Sequence, residues 1–156
     1  MEKNRRTILG FTLVELMVTV AVIAVILVIG VPSIANMKRS ADLTTASKEL
    51  VTALNYARAE AVRQGAGVSV ANRGAGWGDG WRVELASDNS LIRNFDEPPT
   101  GSSVALTTGS TPVTFVGLGN VSVASCFDIT VTGTSSVRSI NIASAGRVTT
   151  NKTACP

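Results

Sequence analysis

Histidine is missing from all 156 residues. With it go the commonest general base and the commonest metal ligand. Cysteine occurs only twice, as Cys126 and Cys155, too far apart to make a zinc site. No serine or threonine stands in a nucleophile motif with a base partner. Asp79, Asp88, Asp96 and Asp128 are scattered through turns and strands, without the spacing of a calcium loop. These absences point away from an enzyme, and they imply no metal and no cofactor. Aromatic residues make up only 4% of the chain, so the core is modest and needs help from other devices.

Charge is absent from one long stretch. Leu16 to Met37 is 22 positions without an acidic or basic side chain. As a helix, such a run is about 33 Å long, enough to cross the hydrocarbon core of a bilayer. Lys3, Arg5 and Arg6 precede it and predict a cytoplasmic start, with the remainder on the far side of the membrane. The layout expected is a basic leader (1–10), a membrane-spanning helix (11–37) and a domain of about 120 residues (38–156). The net charge of +3 belongs mostly to the leader. Without residues 1–10, eleven basic side chains face ten acidic ones, so the high isoelectric point does not by itself argue for nucleic acid. In an oxidising compartment Cys126 and Cys155 are expected to be joined, two separate buried thiols being the alternative. Such a bridge stabilises a small domain by about 3 kcal/mol through loop-closure entropy.

Glu15 interrupts the front of the apolar run. A carboxylate in hydrocarbon costs about 2.5–3.5 kcal/mol even on lenient insertion scales. A secretory signal cut near Ser33-Ile34-Ala35 is one reading of the first 35 residues, but the run is long for it. A plain membrane anchor is another, and it leaves Glu15 unexplained. The stretch "GFTLVELMV", Gly10 to Val18, resembles the class III signal of type IV pilins and pseudopilins. That resemblance implies that a prepilin peptidase cuts between Gly10 and Phe11 and methylates the new amine of Phe11. It also implies that the carboxylate of Glu15 meets the terminal amine of a neighbouring subunit in a filament. Pairing offsets a desolvation that is otherwise unrecovered. Pro32 removes one helical hydrogen bond and predicts a kink rather than a stop, because a helical pattern resumes after it.

From Asn36 to Gly65, Leu43, Ala46, Leu50, Leu54, Ala57 and Ala61 recur at steps of three and four and form one apolar stripe. Gly65 supplies the stop, with Arg63 in the last turn. "LNYARAEAVRQG", Leu54 to Gly65, resembles the signature helix of the FimT, FimU and GspH group of minor pilins and pseudopilins. Beyond it the period becomes two. Residues 67–72, 81–86, 113–116, 126–132 and 137–143 read as strands separated by turns. Six to eight strands are expected in all, with no second helix. "GWGDGW" lacks the lysine of a phosphate loop and opens no helix, so it reads as a hairpin connection flanked by tryptophans. The fold class expected is α+β and type IV pilin-like: one long N-terminal helix packed on antiparallel sheets.

Two function classes follow from the resemblance. In the first, the chain is a minor pilin or pseudopilin of the bacterial inner membrane with a periplasmic domain. Its partners are the prepilin peptidase, other minor pilins and the major pilin, and it reaches the cell surface in a pilus. In the second, it is a FimT-like minor pilin that binds double-stranded DNA through a basic C-terminal region. The group's Gly-Arg-x-Arg motif is only half matched: Gly146 and Arg147 are present, but Thr149 stands in the second arginine's place. Arg138 and Lys152 are candidates to complete a patch, with Arg73, Arg82 and Arg93 as further contributors if the fold gathers them. Pairing of the patch with Asp128 or Glu84 counts against DNA.

Overall fold

The computed structural model describes residues 11–156, so Gly10 and the leader lie outside the described residues. The chain divides into two compact units, one ending at Met37 and the other running from Lys38 to Pro156. Helix α1 spans Leu13–Gln64, and Pro32 lies inside it rather than at its end. In the first unit the large apolar side chains of α1 are exposed, among them Leu16, Val20, Ile23, Leu27, Val31 and Met37. This is the one helix among the described residues that is long and apolar enough to cross a membrane.

In the second unit the helical stripe finds its partner. Leu43, Ala46, Leu50, Leu54, Ala57 and Ala61 are all buried. The helix ends as its sequence predicts. Gly65 takes φ +64, and the Ala66 N–H reaches back to the Ala61 carbonyl at 3.2 Å, a Schellman closure.

Eight strands follow: β1 (Val68–Asn72), β2 (Trp81–Leu85), β3 (Leu91–Phe95), β4 (Ser102–Thr108), β5 (Val113–Phe115), β6 (Ser125–Val131), β7 (Val137–Ile142) and β8 (Val148–Asn151). They form two antiparallel sheets, ordered β3-β2-β1-β5 and β4-β6-β7-β8. One core joins the helical stripe to Val68, Val70, Trp81, Val83 and Phe115 of the first sheet and to Phe127, Ile129, Ile140 and Ile142 of the second. Every residue of that core lies between Leu43 and Ile142, so residues 38–156 hold their own core. The few aromatics are placed where they count. Trp81, Phe115 and Phe127 are fully buried, and Trp77 meets Phe127 edge to face at 4.7 Å between centroids.

The "GWGDGW" stretch is the β1–β2 connection, as expected: Asn72 pairs with Trp81 across it. It contains a single 3-10 turn, Trp77–Asp79, and the Asp79 carboxylate accepts the Gly76 N–H at 3.2 Å. Cys126 and Cys155 are joined, with Cα atoms 6.0 Å apart. Beyond β8 the chain crosses to β6, where the Cys155 N–H donates to the Asp128 carboxylate at 2.9 Å.

Candidate assembly helix and basic cleft

The start of α1 is set by Thr12. Its carbonyl accepts the Leu16 N–H at 3.2 Å, and its Oγ1 accepts the Glu15 N–H, also at 3.2 Å. Thr12 is therefore the N-cap, and Glu15 stands three residues into the helix. Thr-x-x-Glu is the sequence signature of a capping box, so this role of Thr12 was readable from the chain. Glu15 is exposed in the first turn, where a negative charge complements the positive end of the helix dipole. Phe11, just before the cap, is 78% exposed.

The basic residues divide by face. Along β7, Arg138 shares the side of Ile140 and Ile142, which are buried in the core. Thr150 of β8 stands opposite Ile140, and Lys152 lies two residues further on. Arg138 and Lys152 thus point to the helical side of the sheet. There they line a hollow of about 390 Å³ with Ser40, Leu43 and Ser136. An adjoining hollow of about 330 Å³ shares Arg138 and is lined by Thr44, Lys48, Val51 and Thr150. The Arg138 Nη2 donates to Thr44 Oγ1 at 3.3 Å.

Arg147 does not join them. It sits in the β7–β8 turn, where the Ala143 N–H donates to its carbonyl at 3.0 Å. Lys152 is at the opposite end of β8, about 17 Å away at the rise of an extended strand. The preceding Gly146 is required by the turn itself, since its φ is +74 and a Cβ there would lie 1.9 Å from the Gly119 carbonyl oxygen. The glycine of the half-matched motif is accounted for by this turn.

Arg73, Arg82 and Arg93 are not gathered into the patch either. Arg82 of β2 and Arg93 of β3 belong to the other sheet, Arg73 follows its β1, and each is engaged. Arg82 pairs with the buried Glu84 at 2.7 Å. Arg73 donates to the Phe95 carbonyl at 3.2 Å and stands 3.6 Å from Asp96. Arg93 lies over the rings of Tyr56 and Phe95, at 5.3 and 4.9 Å. The two carboxylates whose pairing with the patch would count against DNA are occupied elsewhere: Glu84 by Arg82, and Asp128 by Thr107 and the Cys155 N–H.

Among the described residues, three acidic groups have shifted titration. Glu60 is held down to about 2 by hydrogen bonds from Arg63 and then Gln64. Glu49 is raised, by burial first and then by the charge of Asp96. Asp88 is lowered by the Ser90 N–H. Among the described residues, no group of three or more acidic or cysteine side chains is arranged to hold a metal.

Comparison with known proteins agrees with this geometry. Residues 46–146 match the family described as type II transport protein GspH. Residues 5–31 match the prokaryotic N-terminal methylation motif. No curated protein sequence matches significantly. Among solved structures, the type IV minor pilin FimU of Pseudomonas aeruginosa superposes with a TM-score of 0.65 at 25% identity, covering 74% of this chain and 92% of that one. A second crystal form of FimU gives 0.61 at 27% identity, over 70% and 92%. The minor pseudopilin EpsH from the type 2 secretion system of Vibrio cholerae gives 0.56, over 71% and 97%; at 10% identity it speaks for the fold alone. The chain belongs to the GspH family, and is a type IV minor pilin or pseudopilin of the FimT/FimU/GspH group, a structural protein and not an enzyme.

Proposed function

We propose that the chain enters or initiates a type IV pilus or a type II secretion pseudopilus by lateral packing of its N-terminal helix. The observation that carries this reading is the exposed apolar surface of α1 before Met37, with Glu15 as its acidic residue. Prepilin peptidase cuts between Gly10 and Phe11 and methylates Phe11. Before assembly the helix is held in the inner membrane, with residues 38–156 on the periplasmic side, as the leader's Lys3, Arg5 and Arg6 favour. The Glu15 carboxylate then receives the amine of a neighbouring subunit, and Pro32 bends the packed helix. Filaments sheared from the protein's own host provide the test. The wild-type chain is expected in them, and Glu15→Gln is expected to cut its amount at least fivefold while the membrane-bound amount is unchanged. Equal incorporation of both would refute the role given to Glu15.

Double-stranded DNA is the second reading. The convergence of Arg138 and Lys152 in one cleft without a carboxylate among the lining residues favours it. The separate position of Arg147 weakens it, because sequence-independent DNA binding needs several phosphate contacts together.

A further inference from the structure

The cleft beside β8 combines two kinds of unmet demand. The first is charge. Lys48, Arg138 and Lys152 are the charged residues lining the two adjoining hollows, and all are cationic. The ion pairs found among the described residues, such as Lys38–Asp42 and Arg63–Glu60, use none of the three. Arg138 spends one guanidinium nitrogen on Thr44, which leaves other donors of its fork unspent.

The second demand is backbone pairing. β8 is the edge of its sheet, paired only with β7 among the described residues. The turn fixes which of its groups are free. The Ala143 N–H bonds the Arg147 carbonyl, so in the antiparallel alternation Val148 and Thr150 aim their backbone groups away from β7. The C-terminal segment does not fill the place, since Cys155 is tied to Cys126 and Asp128 of β6. Thr150 is thus both an edge residue with free backbone groups and part of the cleft wall.

We infer that this cleft accepts an extended, carboxylate-bearing segment of a neighbouring pilin subunit. The segment adds as a strand to the edge of β8, and its acidic side chains turn toward Lys48, Arg138 and Lys152. Backbone bonds hold such a strand, while the side-chain pockets select it. Complementary charge fixes its register and excludes basic competitors. This inference rests on the assembly reading above.

The test uses the full chain in its own host. A photo-reactive benzoylphenylalanine is placed at Thr150, and separately at exposed Ser87 in the β2–β3 turn for comparison. Filaments are irradiated, and the crosslinked peptides are sequenced by mass spectrometry. Thr150 is expected to capture one pilin segment rich in aspartate or glutamate. The Lys48→Glu, Lys152→Glu variant reverses two exposed charges without touching the core. It is expected to cut that crosslink at least fivefold while the chain stays in filaments. Capture from Thr150 no greater than from Ser87 would overturn the inference with the assembly reading intact. So would capture of a basic segment, a helix, lipid or nucleic acid, or a yield indifferent to charge reversal. Absence of the wild-type chain from filaments would remove the assembly reading itself, and this inference with it.

Discussion

Arg58 and Gly119, 61 positions apart in the chain, are joined by a 2.9 Å hydrogen bond from the arginine Nε to the glycine carbonyl. The Nη2 of the same guanidinium reaches the Ala145 carbonyl at 3.4 Å. One helical arginine therefore ties the turn after β5 to the β7–β8 turn. Gly146 packs into the same junction, against the Gly119 carbonyl.

Both sides of that junction are testable by urea unfolding of residues 38–156. Gly146→Ala forces a Cβ into the Gly119 carbonyl at a positive φ, and is expected to cost about 3 kcal/mol. Arg58→Met keeps the stem and removes the donors, with an expected loss of about 1–2 kcal/mol. An unchanged midpoint for Gly146→Ala would show that the turn is not locked in this way.

The helical stripe predicts a larger effect. Leu54 is fully buried in the core that joins α1 to the sheets. Leu54→Ala is expected to lower stability by about 2–5 kcal/mol, as cavity-forming changes do. Exposed Asn55 beside it serves as the control, and Asn55→Ala is expected to change the unfolding midpoint little.

The disulfide closes a loop with a sequence separation of 29. Replacing Cys126 and Cys155 together by alanine is expected to cost about 3 kcal/mol through the unfolded state. Reduction of the wild type by dithiothreitol, followed by the same unfolding curve, is expected to give a similar loss.

Stability also depends on pH through Glu60. Its folded value, about 2, lies below the ordinary 4.5, so it binds protons less readily folded than unfolded. Its contribution is therefore present above about pH 4.5 and is lost as pH falls toward 2. Glu60→Gln is expected to flatten the melting temperature between those values relative to the wild type. Parallel curves for the two proteins would contradict the assignment.

Much of this architecture was legible in the chain, and each part that was not has its own physical cause. The apolar stripe from Leu43 to Ala61, the Gly65 stop and the strands near 68–72, 81–85 and 126–131 stand where the periodicity puts them. The strands without a clear signal, β3, β4 and β8, are all sheet edges. Their burial is sparse, so "SSVALTT" and "VTTN" need no sustained alternation of apolar residues. Thr12 carried a readable capping signal in Thr-x-x-Glu. Arg58 carried none, because its partners are backbone carbonyls of distant turns. The division of the basic residues depended on strand parity and turn position, which placed Arg138 and Lys152 in one cleft and Arg147 at the far end of the hairpin.

That division sets the expectation for DNA. Residues 38–156, titrated with duplex DNA at several salt concentrations, are expected to show at most weak binding that is gone by physiological salt. Two or three phosphate contacts give a slope of only about −2 to −3 in log K against log salt. Arg147→Ala with Lys152→Ala is expected to change little. Tight binding abolished by that pair would favour the DNA reading over assembly alone.

At the front of the chain, residues 5–31 match the methylation motif. The most direct measurement is intact-mass and N-terminal peptide spectrometry of the mature protein from its own host. A chain beginning at Phe11 and carrying one methyl group on its amine is expected. A mature chain that begins at Met1 or at Asn36 would contradict this.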